Sequence, residues 1–209
     1  MRLNHWPMTA ALLILALIFL GACAGSSAPM RFYLLNPLPD SEKGRQRRIL
    51  PSTVTVGIGP VKFPAYLDRR QIVTRVTENE LHVAEFEEWG GALKENFTRV
   101  LVENLHILLP EDAFEVFPFT GSSQIDYHVE LEVLRMDGRL GGKASLDAHW
   151  SLYKRRGGQL LFTARAHFDE PVGGPGYAAL VTALSRTVET LSRNIAATVE
   201  GLSLKSNAS

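Results

Sequence analysis

Ile125-Asp126-Tyr127-His128-Val129-Glu130-Leu131-Glu132-Val133 alternates apolar and polar side chains without a break. Successive side chains of a strand point to opposite faces, so this stretch reads as a β-strand with one buried and one wet face. The pattern returns twice downstream. Ala144, Leu146, Ala148, Trp150 and Leu152 alternate with Ser145, Asp147, His149 and Ser151, and Leu160, Phe162, Ala164, Ala166 and Phe168 complete a third run. Asp137-Gly138, Gly141-Gly142 and Arg156-Gly157-Gly158 supply the turns between them. Three such runs predict an antiparallel meander.

Outward from the meander the period changes. After the Gly/Pro loop 171–176, Leu180, Leu184, Val188, Leu191, Ile195, Val199 and Leu202 recur at spacings of three and four, which predicts a helix over about 177–201. Upstream, Leu93, Phe97, Val100, Leu101, Leu105 and Leu108 carry the same stripe from near Gly90, and Pro110 stops it. Val54–Ile58 and Ile72–Val76 are rich in β-branched residues and read as strands. Leu81–Ala84 returns from the second of them after the polar turn Glu78-Asn79-Glu80. Arg31–Leu35 and Phe114–Phe117 are further strands, and Pro37–Pro51 is a basic loop. The whole predicts an α/β fold: a mixed β-sheet of about seven or eight strands, ending in the meander and packed by two long amphipathic helices.

The N-terminus sets the address. Met8 to Leu20 is apolar but for Thr9, follows Arg2, and ends in Leu20-Gly21-Ala22-Cys23, which holds the only cysteine of the 209 residues. That run is similar to the lipobox of bacterial lipoproteins, and it implies cleavage before Cys23 and acylation of Cys23. The expected organisation is a signal peptide at 1–22, a tether at 23–30, one domain at 31–203 and a polar tail at 204–209. An uncleaved N-terminal anchor is the alternative, since Trp6 to Ala24 comes close to the ~20 residues of a membrane span. Removing Arg2 leaves 21 basic against 22 acidic residues, a formal charge of −1. No basic excess points to nucleic acid. A lone cysteine excludes an internal disulfide and a thiolate cluster.

The wet faces of the meander carry His128, His149 and His167 beside Glu130, Asp147 and Arg165. They read either as a metal or acid–base site or as a solvated face with cross-strand ion pairs. No His-Glu-x-x-His spacing, Gly-x-Ser-x-Gly elbow or phosphate loop accompanies them, so no catalytic or metal-ligating residue is assigned. Two other segments stand out. In Gly59–Arg75, Pro60 and Pro64 enforce an extended path around Phe63, Tyr66 and Leu67, which read as a contact tip or as aromatics folded back on the sheet. In Ala84–Trp89, Trp89 reads as a core residue at helix entry or as an interface anchor.

Gly-Pro-Val-x-x-Pro-x-Tyr-Leu-Asp-Arg-x-Gln-Ile-Val-Thr-Arg at 59–75 resembles the signature of the PqiC-like auxiliary lipoproteins, the ABC-transport auxiliary lipoprotein family. Ala-Glu-Phe-x-x-Trp at 84–89 continues the likeness, as do Leu93, Phe97, Arg99, Val100, Leu101 and Asn104-Leu105, and then the meander with Gly141-Gly142 and Trp150. Arg70 stands where some relatives have Pro. The resemblance implies a non-enzymatic lipoprotein without a cofactor. It implies an outer-membrane anchor through Cys23, favoured by Ala24 in place of Asp, and a place on the periplasmic face. It also implies an MCE-domain periplasmic protein as partner, an inner-membrane component reached indirectly, and a homo-oligomeric ring. Phe63, Pro64, Tyr66, Leu67, Asp68, Arg69 and Trp89 are the candidate partner or oligomer contacts. The rival readings are a periplasmic lipid- or small-ligand-binding module and an enzyme using the histidine face.

Overall fold

A computed structural model of the chain describes residues 29–42, 53–119, 121, 125–154 and 158–207. Cys23, the expected signal peptide 1–22, most of the expected tether, the greater part of the 37–51 loop, and Arg156 and Gly157 of the expected turn lie outside these residues. The described residues form, in chain order, β1 (Arg31–Tyr33), β2 (Val54–Lys62), β3 (Gln71–Arg75), β4 (Leu81–Trp89), α1 (Leu93–Leu108), β5 (Phe114–Pro118), β6 (Tyr127–Gly138), β7 (Lys143–Lys154), β8 (Gln159–Pro171) and α2 (Tyr177–Asn207). The fold is α/β with eight described strands, as expected. They divide into two mixed sheets, β1-β4-β3 and β5-β2-β6-β7-β8.

The meander is the long-stranded half of the larger sheet. β6 pairs antiparallel with β7, and β7 with β8, so that Leu131, Trp150 and Ala164 lie abreast. Tyr127, Val129, Leu131 and Val133 are buried while Glu132 is exposed, as a period of two demands. The alternation ends at Val133 for a reason. The register with β7 shifts between Val133 and Arg135, which leaves Leu134 as an extra residue. Such a bulge swaps the faces beyond it. Met136 then points to the core, and Arg135 and Asp137 move to the face that carried Glu130 and Glu132.

The helices cover the other face. α1 packs on β2 and β5, α2 packs on β6, β7 and β8, and the two touch each other. Phe97, Val100, Leu101 and Leu105 of α1 and Leu180, Val188, Leu191, Ile195 and Val199 of α2 are fully buried. A buried side chain of this size contributes about 1.5–3 kcal/mol, so the two stripes are a major part of the core. Gly138 makes this contact possible: a Cβ there would stand 2.7 Å from Leu180 Cδ1 and from the β7 backbone.

Several boundaries differ from the sequence expectation. α1 starts at Leu93 because the chain through Trp89 is still paired with β1, and Gly90 N–H donates to the Tyr33 carbonyl at 2.8 Å. α2 runs past Gly201 to Asn207, because the stripe continues through buried Ser203 and a glycine alone weakens a helix without ending it. The start of the 37–51 loop is pinned. Leu35 and Leu38 are buried, and their N–H groups donate to Asn96 Oδ1 and Asn104 Oδ1, both at 2.7 Å.

Candidate functional site

β2 ends at Lys62, and Pro64 then opens a single 3-10 turn, Ala65–Leu67. Gly59 takes φ 122°, a conformation that glycine adopts without strain. The aromatics that follow fold back. Phe63 meets Phe97 of α1 edge-on, with ring centroids 5.3 Å apart. Leu67 and Trp89 are both 4% exposed, so they are core residues of the chain. Phe63, Pro64 and Tyr66 are half-buried, and Asp68 and Arg69 are exposed. The segment is thus a held turn whose outward part is charged.

Its anchor is Asp137. The carboxylate is fully buried and accepts from Arg75 Nε (2.9 Å) and Nη2 (2.7 Å), from Arg135 Nε (2.9 Å) and from the Tyr66 hydroxyl (2.9 Å). Burial pushes the Asp137 carboxyl up, but the two guanidinium groups outweigh it and hold the group below the usual carboxylate range. Burial first, and the neighbouring carboxylate second, push the Tyr66 hydroxyl up to about 12. Arg75 belongs to β3, Tyr66 to the turn, and Arg135 and Asp137 to β6 beyond the bulge. One buried charge therefore ties the smaller sheet, the 59–75 segment and the meander together. Sequence reasoning missed Asp137 by reading Asp137-Gly138 as turn chemistry. Its flanking arginines, Arg135 and Arg139, were the available signal.

Further contacts hold the far side of the turn. The Arg70 carbonyl accepts from Trp89 N–H at 2.7 Å, and Arg70 Nε lies 3.2 Å from the Glu88 carboxylate. Arginine at this position keeps the turn braced where a proline would have stiffened it covalently. Between the turn, Phe32 of β1 and the first turn of α1 lies an open groove of about 1060 Å³. Phe63 and Leu67 form part of its floor, and Lys62, Asp68, Arg69, Arg70 and Lys94 stand on its rim. Phe32 is 58% exposed and adds an apolar wall.

The three histidines do not converge. His128 is buried rather than on a wet face: its ring lies tilted against that of Phe119, with centroids 4.6 Å apart, and its Nε2 meets the Gly59 carbonyl. His149 faces Glu132 and Arg165 across its neighbouring strands. His167 sits between Asp147 (2.6 Å) and Asp169 (3.4 Å), and the Asp147 hydrogen bond raises its pKa. Lys143 and Ser145 hold the Asp169 carboxyl down at about 2. Among the described residues no cluster of three His, Cys, Asp or Glu side chains can hold a metal. No described helix is long and apolar enough to cross a membrane.

The model of one protein family, described as the ABC-type transport auxiliary lipoprotein component, matches residues 33–196. Among solved structures, an uncharacterized protein shares 22% identity with a TM-score of 0.68, over 82% of this chain and 99% of that one. A Xanthomonas campestris protein shares 13% identity with a TM-score of 0.61, over 79% of this chain and 92% of that one. No curated protein matches the sequence.

Proposed function

Because the chain belongs to the ABC-type transport auxiliary lipoprotein component family, we propose that it is the outer-membrane docking subunit of an MCE-type lipid-transport system. In this reading Cys23 carries the lipid anchor, the domain faces the periplasm, and a ring of identical copies receives the outer end of an MCE-domain protein. The role is mechanical and needs no catalysis. Several acyl chains on one cysteine give lasting attachment, since each buried methylene adds about 0.8 kcal/mol.

One observation carries the reading. The 59–75 segment, which bears the family likeness, is fastened by Asp137, Phe97 and Trp89, yet it exposes Asp68, Arg69 and Ala65 beside the groove. A contact surface held rigid before binding loses little entropy on association. Leu67 and Trp89 support the surface from within, so substitutions there would disturb the fold. The informative variant is Asp68→Lys with Arg69→Glu, two exposed positions. Recovery of MCE-domain protein on the tagged full-length lipoprotein, and oligomer mass by native mass spectrometry, should both fall. Unchanged recovery and unchanged mass would remove the segment from the interface. Fractionation of Cys23→Ser checks the anchor: the domain should leave the outer-membrane fraction while keeping its fold.

A further inference from the structure

Beside the Asp137 cluster a second concavity of about 760 Å³ is lined by Arg75, Arg135, Arg139 and Lys143, with Glu78 as the acidic side chain of its wall. Four cations converge there, and their hydrogen bonds show which of them are spent. Arg75 uses Nε and Nη2 on Asp137 and Nη1 on the Glu78 carbonyl (2.7 Å). Lys143 lies 2.5 Å from Asp169. Among the described residues Arg135 uses only Nε, on Asp137, and Arg139 uses only Nη2, on the Val76 carbonyl at 2.8 Å. Among the described residues no carboxylate pairs with Arg139. Among the described residues, Asp137, Asp169 and Glu78 set three negative charges against these four cations, an excess of one positive charge.

The two guanidiniums with free N–H groups are held from behind, one by a fully buried carboxylate and the other by a carbonyl of the loop between β3 and β4. Planar N–H forks fixed in this way match the oxygens of a phosphate and give up little freedom on binding it. We propose that this pocket binds a phosphate group, with Arg135 and Arg139 as its direct ligands and Lys143 on the rim. The group is either free phosphate or the phosphodiester of a phospholipid headgroup. This site goes beyond the docking role and fails separately from it, because Arg139 takes no part in the 59–75 surface.

The test uses full-length protein in a maltoside detergent, which contributes no phosphate. Inorganic phosphate and a soluble short-chain phosphatidylglycerol are titrated at constant ionic strength, and the guanidinium Nε–H resonances of arginine are followed by NMR. Saturable binding is expected, weakened about tenfold by Arg139→Gln, which removes one charge-assisted hydrogen-bonding partner. Lys62→Gln, on the other groove, should leave it unchanged. Phosphatidylglycerol binding at least tenfold tighter than phosphate identifies a lipid headgroup, and comparable affinities identify free phosphate. Arg139 is exposed and its guanidinium donates to the Val76 carbonyl, and Lys143→Gln provides a second variant should the first lose its fold by circular dichroism. Absence of saturable binding, affinity unchanged in both variants, or binding of an acidic peptide alone would overturn the assignment.

Discussion

Replacing Asp137 by Asn keeps the outline of the side chain and removes its charge, and the consequence can be worked from the contacts. The carboxylate is fully buried and receives three N–H groups from Arg75 and Arg135 and one O–H from Tyr66. An asparagine offers one acceptor oxygen, and its amide would direct donors at donors. Removing one partner of a buried ion pair costs about 3–5 kcal/mol. The Arg75 and Arg135 side chains are 20% and 30% exposed, so both can turn partly to water, which favours the lower end, about 3 kcal/mol. For a domain of this size that is a fall in Tm of about 10 °C. The carboxyl is held below its ordinary pKa, so its contribution is present above about pH 4 and is lost as pH falls through the folded value. Wild type and variant should therefore differ in Tm near neutral pH and converge in acid. Thermal unfolding followed by circular dichroism at both pH values measures this, and trypsin should cleave faster at Arg69 and Arg70 once Tyr66 loses its acceptor. A fall of less than about 2 °C near neutral pH, or the same fall in acid, would refute the view that this charge holds the elements together.

Two further outcomes follow from the same contacts. Gly138→Ala places a Cβ 2.7 Å from Leu180 Cδ1 and from the β7 backbone, an overpacking that should cost about 1–3 kcal/mol and lower the urea midpoint; an unchanged midpoint would contradict the close approach of α2. His167 should titrate above the ordinary histidine value because of Asp147, and in Asp147→Asn its NMR-detected pKa should move back down. Its stabilising effect is present at low pH and fades as pH rises through the raised pKa, and a His167 pKa insensitive to Asp147→Asn would sink this account.

Much of the architecture is legible in local pattern. The 125–133 alternation, the two helix stripes and the 59–75 segment are each read from neighbours within a few residues, and the structure has the strands and helices they predict. The chemistry beyond the bulge was not legible. Val133-Leu134 sets two apolar residues side by side, and Met136 then follows between Arg135 and Asp137 with the phase reversed; what the pattern does not tell is whether the strand ends there or continues through a bulge. Once the phase slips, Arg135 and Asp137 share a face that β3 and the 59–75 turn cover, and a residue read as part of a turn becomes the most buried carboxylate among the described residues. His128 shows the same limit in reverse: its position on the alternating strand reads as solvent-facing, but Phe119 and the β2 backbone cover it.

Sequence alone determined the α/β class, the meander, the two packing helices and the family likeness at 59–75, because period, turn chemistry and motif are properties of consecutive residues. Tertiary structure alone decided that the strands part into two sheets, that Leu67 and Trp89 lie inside while Asp68 and Arg69 lie outside, and that Arg75, Arg135 and Tyr66 meet on Asp137. The partners Tyr66 and Asp137 are 71 residues apart in the chain, and only the pairing of strands and the covering of one sheet by another element bring such charges into one dry site.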